Sequence, residues 1–325
     1  MKAIVFTRYG SPDYLELREV PKPVPADDEV LVRVHASSVN SWDWEFLQGT
    51  PFVNRLMYGL MKPKAGKRSL GSDIAGIVEA AGSSVTSFQP GDAVFGDLWD
   101  NWGGFAEFAC APESALQPKP PNISFEQAAA VPQAGVLALQ GLRKSGQLEP
   151  GQKVLINGGG GGVGTFAIQL ARLAGAEVTG VDNRHKQAVM RSLGADHVID
   201  YEQMDFYRSG ELYDLIVDCQ CFRSMFDNLR ALKPHGNFAM VGGSIPRVYQ
   251  LWLFGLVLPL TGETRKLELV AEGPNKGLAE LGALLARGDL RPVIDSCYEL
   301  SAVAEALHYF GKGRHRGKII IRVKH

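Results

Sequence analysis

The run Ile156-Asn157-Gly158-Gly159-Gly160-Gly161-Gly162-Val163-Gly164 is the segment whose residue types and spacing most directly imply chemistry. Its spacing, Gly159-x-Gly161-x-x-Gly164, follows an apolar run, Lys153-Val154-Leu155-Ile156, with the pattern of a strand. After it comes a helical pattern that puts Val163, Phe166, Ala167, Leu170, Ala171 and Ala174 on one face. Strand, glycine turn and helix together cradle a dinucleotide pyrophosphate. Glycine lets backbone approach phosphate, and the helix N-terminus offers unpaired N–H groups and a partial positive charge. The flanking strand and helix make the motif specific; the glycine spacing alone does not. Gly159, Gly160, Gly161, Gly162, Val163 and Gly164 are the expected pyrophosphate contacts.

Three further sets of residues bear on the coenzyme. The next strand, Glu177-Val178-Thr179-Gly180-Val181-Asp182, ends on an acid. An acid there binds the adenosine ribose hydroxyls and repels a 2′-phosphate, which favours NAD. Arg184, His185 and Lys186 follow at once. Cations there either hold a 2′-phosphate or form a solvated helix start. The signals oppose each other, and the expected coenzyme is written NAD(P)H. Gly242 and Gly243, after a later strand, are either further cofactor contacts or a plain turn.

These residues need a scaffold, and the pattern of elements supplies one. From Ser124, which caps a helix with Gln127 three residues on, helices alternate with strands. His197-Val198-Ile199, Leu215-Ile216-Val217-Asp218 and Phe238-Ala239-Met240-Val241-Gly242 read as buried strands. Repeated βα units demand a parallel sheet covered by helices on both faces. The first third differs. Glu29 to Ala36 alternates with period two, Asp73 to Gly82 is a second strand, and Pro90-Gly91-Asp92 turns into a third. Many short strands punctuated by Gly and Pro suggest a small barrel-like domain. Helices over 276–287 and 301–310 and a strand over 318–323 close the chain.

A chain of 325 residues accommodates two cores, and a formal net charge of −1 argues against nucleic acid as the main partner. The most apolar window, 251–260, is too short to span a bilayer and contains Gly and Pro. It reads as a buried segment or a subunit contact, and Tyr249 to Leu260 is the candidate homodimer surface. The four cysteines, Cys110, Cys219, Cys221 and Cys297, form no secreted-type framework. With no signal-peptide pattern at the N-terminus, a cytoplasmic setting is expected.

The chain resembles the medium-chain dehydrogenase/reductase superfamily, in its zinc-free quinone oxidoreductase (zeta-crystallin-like) branch. The resemblance rests on Val39-Asn40-Ser41-Trp42-Asp43-Trp44, Gly71-Ser72-Asp73-Ile74-Ala75-Gly76 and Phe88-Gln89-Pro90-Gly91-Asp92-Ala93-Val94. It continues through Gly104-Phe105-Ala106-Glu107-Phe108, Ala128-Ala129-Ala130-Val131-Pro132, the glycine loop and Leu193-Gly194-Ala195-Asp196. It implies an α/β protein: a GroES-like β-rich catalytic domain over 1–124 and 273–325, and a Rossmann domain with a doubly wound parallel sheet over 125–272. It also implies an active site in the interdomain cleft.

At the positions where zinc-dependent relatives carry Cys, His and Cys, this chain has Asn40, Ser72 and Gln133. Zinc takes thiolate, imidazole or carboxylate, so a metal-free enzyme is expected. Without a Lewis acid, hydride addition favours acceptors that delocalise charge, such as quinones and α,β-unsaturated carbonyls. Alternatives are an aldehyde/alcohol or enoyl-thioester reductase on the same scaffold, and a non-catalytic dinucleotide-binding regulatory protein. Asn40 holds either the substrate oxygen or the cofactor ribose, or braces a turn. Asp43 relays a proton or is a buried structural carboxylate. Tyr58 is a phenol donor or a packed aromatic, Trp44 and Trp99 are expected to wall the cleft, and Lys318 is a further expected cofactor contact.

Overall fold

A computed structural model describes residues 1–64, 69–271 and 273–325. The chain divides into two compact units, 1–136 with 274–325, and 137–273. The first unit runs on past the expected border at 124, because the short helix Phe125–Ala129 packs on that unit's sheet.

In chain order the first unit contributes β1 (Lys2–Phe6), β2 (Leu15–Glu19), β3 (Glu29–Ser38), α1 (Ser41–Gln48), α2 (Phe52–Tyr58), β4 (Asp73–Ala81), β5 (Ala93–Asp97), β6 (Phe108–Pro112), β7 (Leu116–Pro118) and α3 (Phe125–Ala129). Helix α4 (Pro132–Leu142) crosses the border between units. The second unit holds β8 (Lys153–Asn157), α5 (Gly162–Leu173), β9 (Glu177–Asp182), α6 (Gln187–Ser192), β10 (His197–Asp200), β11 (Tyr213–Asp218), α7 (Met225–Arg230), β12 (Leu232–Met240), α8 (Ile245–Val257) and β13 (Lys266–Leu269). The chain then returns to the first unit with α9 (Leu278–Arg287), β14 (Ile294–Glu299), α10 (Val303–Gly311) and β15 (Lys318–Arg322).

The second unit's sheet has the order β10-β9-β8-β11-β12-β13, parallel throughout. Strands covered on both faces are apolar along their length, and Val154, Leu155, Ile156, Leu215, Ile216 and Val217 are all buried. On α5 the apolar face read from the sequence is the one that packs, with Phe166, Ala167, Leu170 and Ala171 buried. The strand order reverses direction across β8 and β11, and their carboxyl ends are where an α/β sheet binds ligand.

The first unit's sheet has the order β14-β15-β3-β4-β5-β7, with β6 also pairing β3. It is antiparallel except between β14 and β15. Its core gathers Val32, Val34, Ile74, Val94, Phe105 and Ile319 with Phe46 and Leu47 of α1. The periodicity of the sequence does not reveal helices α1 and α2. Their sequence, Ser41 to Tyr58, mixes aromatic and polar residues without a clean apolar stripe, and α2 has no buried residue.

Candidate functional site

The glycine loop of the second unit is built by steric need. Gly164, in the first turn of α5, lies so close to the turn before it that a Cβ there would overlap the Gly158 carbonyl oxygen. A Cβ on Gly159 would come 2.7 Å from the Met190 sulfur, and Gly158 has φ +88°. A side chain at Gly164 would therefore force backbone apart, and one at Gly158 would be strained by its positive φ. Its outer part, Gly161, Gly162 and Val163, is only partly buried. The N–H groups of a helix's first turn lack intrahelical partners, so the twelve-residue α5 presents them there with the positive end of its dipole. A pyrophosphate fits this cradle.

Asp182 ends β9 beside the loop. Its Oδ2 accepts from Gly160 N–H at 3.0 Å and its Oδ1 from Asn183 N–H at 2.9 Å. Lys186 Nζ lies 3.6 Å from Oδ1, with both side chains buried. The Lys186 stem also lies where a Cβ on Gly160 would go. Arg184 and His185 are exposed. Gly242 and Gly243 form a left-handed turn after β12, with φ +75° and +111°. Gly242 has open space about it, whereas a Cβ on Gly243 would come 2.9 Å from Cys221 Cβ. Cys221 itself is buried, and its N–H is held by Asp218 Oδ1 at 2.9 Å, consistent with a structural thiol.

The first unit holds a second, unanticipated constellation: three buried carboxyls around one buried ammonium. Asp73 opens β4 and stands directly opposite Asp97 in the antiparallel register with β5. Like charges in that position repel. Asp73 Oδ2 accepts from Ser38 Oγ at 2.8 Å and from Asn40 Nδ2 at 2.9 Å, and its Oδ1 accepts from Gln133 N–H at 3.0 Å. Lys318 Nζ lies 3.5 Å from Asp73 Oδ2 and donates to Val39 O at 3.2 Å and to Asn40 Oδ1. Asp43, fully buried, accepts from Asn40 N–H at 2.8 Å and Gly71 N–H at 2.7 Å. Asp97 accepts from Trp99 N–H at 2.9 Å and pairs with the Ser72 hydroxyl.

One ammonium cannot balance three carboxylates out of water. Burial pushes Asp43 up to about 7, against its backbone hydrogen bonds. Burial, reinforced by the neighbouring Asp73, takes Asp97 to about 7 as well. Burial also lowers the pKa of Lys318, opposed by Asp73 and Asp43.

The structure therefore brings Asn40, Asp43 and Lys318 together. Lys318 is buried within this network of the first unit, whereas the loop residues with which the sequence groups it belong to the second unit. The amide of Asn40 is engaged at both ends and caps α1, so the bracing alternative describes its bonds. Asp43 likewise has both oxygens occupied by backbone donors. Tyr58 packs its ring 4.8 Å from Phe46, at the edge of the core. Trp44 lies against Gly311 of α10, and it is Trp42 whose ring meets Trp99, at 3.9 Å. Trp99 and Trp102 have φ of +48° and +51°, a strained region for aromatic residues. Sequence reading missed Asp73, Asp97 and Trp42. The available signal was an acid at the mouth of an otherwise apolar strand, Asp73-Ile74-Ala75-Gly76-Ile77-Val78.

Among the described residues no group of His, Cys, Asp and Glu is placed to hold a metal. Asn40, Ser72 and Gln133 offer amides and a hydroxyl, and an ammonium stands among them.

Residues 26–121 match a family described as the alcohol dehydrogenase GroES-like domain, and residues 193–321 match one described as zinc-binding dehydrogenase. The chain is 32% identical over 337 residues to 2-methylene-furan-3-one reductase of Solanum lycopersicum, covering 99% of this chain and 79% of that one. It is 31% identical to the chloroplast envelope quinone oxidoreductase homolog of Arabidopsis thaliana, covering 99% and 98%. Among solved structures, the quinone oxidoreductase from Coxiella burnetii superposes with a TM-score of 0.88 at 30% identity, over 100% and 99% of the two chains.

Proposed function

Because the chain belongs to the medium-chain dehydrogenase/reductase superfamily, in its quinone-oxidoreductase-like branch without zinc ligands, we propose that it reduces quinones or α,β-unsaturated carbonyls with NAD(P)H. The observation that carries this reading is the donor set of Asn40, Ser72 and Gln133. These side chains cannot hold a Lewis acid, and of the three it is the Gln133 amide whose Nε2 meets no acceptor among the described residues. Conjugated acceptors need the least help, because their own π system spreads the charge that hydride addition creates. The named substrate of the tomato relative carries a methylene group conjugated to a ketone.

The nicotinamide, when bound, supplies the hydride. The backbone of Gly162 to Gly164 would hold the pyrophosphate through the N–H groups of the first turn of α5. Asp182 fixes the loop through Gly160 N–H, and at the end of β9 it is the residue that would meet the adenosine ribose. In the first unit, Asn40 and Asp43 act by position. Asn40 ties Lys318 to Asp73, and Asp43 ties the start of α1 to Gly71. Steady-state coenzyme oxidation with a quinone, an enone and a simple aldehyde tests the reading. Turnover confined to the first two supports it; preference for the aldehyde, or tight coenzyme binding with no turnover, overturns it.

Both coenzymes fit this proposal, with NADPH preferred. Lys186 and the Gly160 N–H already offset the Asp182 charge, so a 2′-phosphate would meet no bare carboxylate, and Arg184 is exposed two residues further on. Arg184→Ala is expected to raise KM for NADPH about tenfold, the worth of one charge-assisted contact, and to leave KM for NADH within about twofold. Equal losses for the two coenzymes would show that Arg184 does not meet the phosphate.

The assembly proposed is a homodimer through α8. Its Tyr249, Trp252, Leu253 and Leu256 are exposed while Leu251 is buried, an apolar surface that a second copy would cover. Leu253→Asp is expected to sediment as a folded monomer; a dimer that persists in this variant places the contact elsewhere. A cytoplasmic setting suits the four unpaired cysteines.

A further inference from the structure

We infer that Gln133 donates the hydrogen bond that stabilises negative charge on the acceptor's carbonyl oxygen, an inference that rests on the reaction proposed above. Gln133 stands in the first turn of α4 and is 6% exposed. Its backbone N–H is fixed to Asp73 Oδ1 at 3.0 Å, which anchors the residue to the polar network. The neighbouring polar side chains are committed. Both ends of the Asn40 amide are engaged, by Asp73 at 2.9 Å and by Lys318. The Ser72 hydroxyl lies between Asn40 Nδ2, at 3.4 Å, and Asp97. The Lys318 ammonium has Val39 O, Asn40 and Asp73 around it. Gln133 differs, because its buried Nε2 meets no acceptor among the described residues.

A buried donor without an acceptor destabilises the folded chain. A well-bonded network that keeps one beside it is poised to bind an oxygen that arrives later. The chemistry fits. As hydride adds to the far carbon of the conjugated system, an electron pair moves onto the carbonyl oxygen. The amide N–H of Gln133 holds that oxygen without releasing its proton, and solvent water supplies the proton that completes the product. An amide is neutral, so it adds no charge to a cluster that already holds three carboxyls and one ammonium.

Gln133→Met and Gln133→Leu in the full chain test this, because function and stability should move in opposite directions. Removing the unpaired donor is expected to raise Tm by about 2–4 °C. The same change is expected to lower kcat for an enone by about 10- to 100-fold, the range of a lost oxyanion donor. With a quinone the loss is expected to be only a few-fold, since two oxygens share the charge. KM for the coenzyme should not change. A fall in Tm with equal losses on both acceptors makes Gln133 a packing residue, and a raised Tm with unchanged kcat makes it a bystander; either overturns the inference. Wild-type protein that reduces neither acceptor fails at an earlier step, by overturning the reaction itself.

Discussion

Gly164→Ala is expected to raise the Kd for NADPH and NADH by at least about 100-fold. The new methyl would overlap the Gly158 carbonyl oxygen, and Gly159 Cα lies 2.6 Å from the same point, so backbone on the far side of the turn must move. No flexible side chain is there to yield. Movement of the turn carries with it the N–H groups that α5 presents to phosphate, and their contacts are oriented, charge-assisted bonds that fail over small displacements. Gly255→Ala is the matched control. Its nearest neighbour, Leu267 O, is 4.0 Å from the added carbon and the residue sits inside α8. That variant should bind coenzyme normally and gain about 0.5–1 kcal/mol from helix propensity. Fluorescence titration of coenzyme checks both; normal binding by Gly164→Ala would mean that the loop is not the pyrophosphate cradle.

Lys318→Met is expected to lose about 3–5 kcal/mol of stability at pH 8, the range seen when one partner of a buried ion pair is removed. The ammonium is 3% exposed, and Asp43, Asp73 and Asp97 all face it. The loss should shrink with acidification. Asp43 and Asp97 titrate near 7 in the folded chain, above the ordinary carboxyl value of about 4. The folded state therefore binds more protons than the unfolded state between those values. Their contribution to stability is complete below about pH 4 and lost as pH rises through about 7. Without Lys318 the carboxyls hold protons more tightly still, so the deficit relative to wild type should narrow at pH 5. Urea unfolding of both proteins at pH 5 and pH 8 measures this. A deficit that is equal at both values would contradict the charge account.

The glycine loop and its flanking strand and helix were legible because their function imposes a local pattern: φ-permissive residues, then a 3.6-residue apolar repeat. Strands β8 and β11 were legible for the same kind of reason, each carrying a short apolar run, whereas β12 reads as a strand only in its apolar second half, from Phe238. The buried charge network was not. Asp73, Asp97 and Lys318 are far apart in the chain and meet only because β15 returns to pair with β3, and β3 with β4. Pairing across a sheet leaves no spacing to count. Asn40 and Gln133 were visible as odd residues at positions of interest, but their bonds depend on that same pairing. The short helices α1 and α2 escaped because α1 is fixed by Asp43 and Asn40 rather than by an apolar stripe.

The proposed reaction reduces a conjugated carbonyl with no metal at the reacting oxygen. The direct measurement is coenzyme oxidation with an enone after exhaustive chelation, with the metal content of the same sample determined. The account predicts an undiminished rate in protein free of zinc. A rate abolished by chelation and restored by zinc would contradict it.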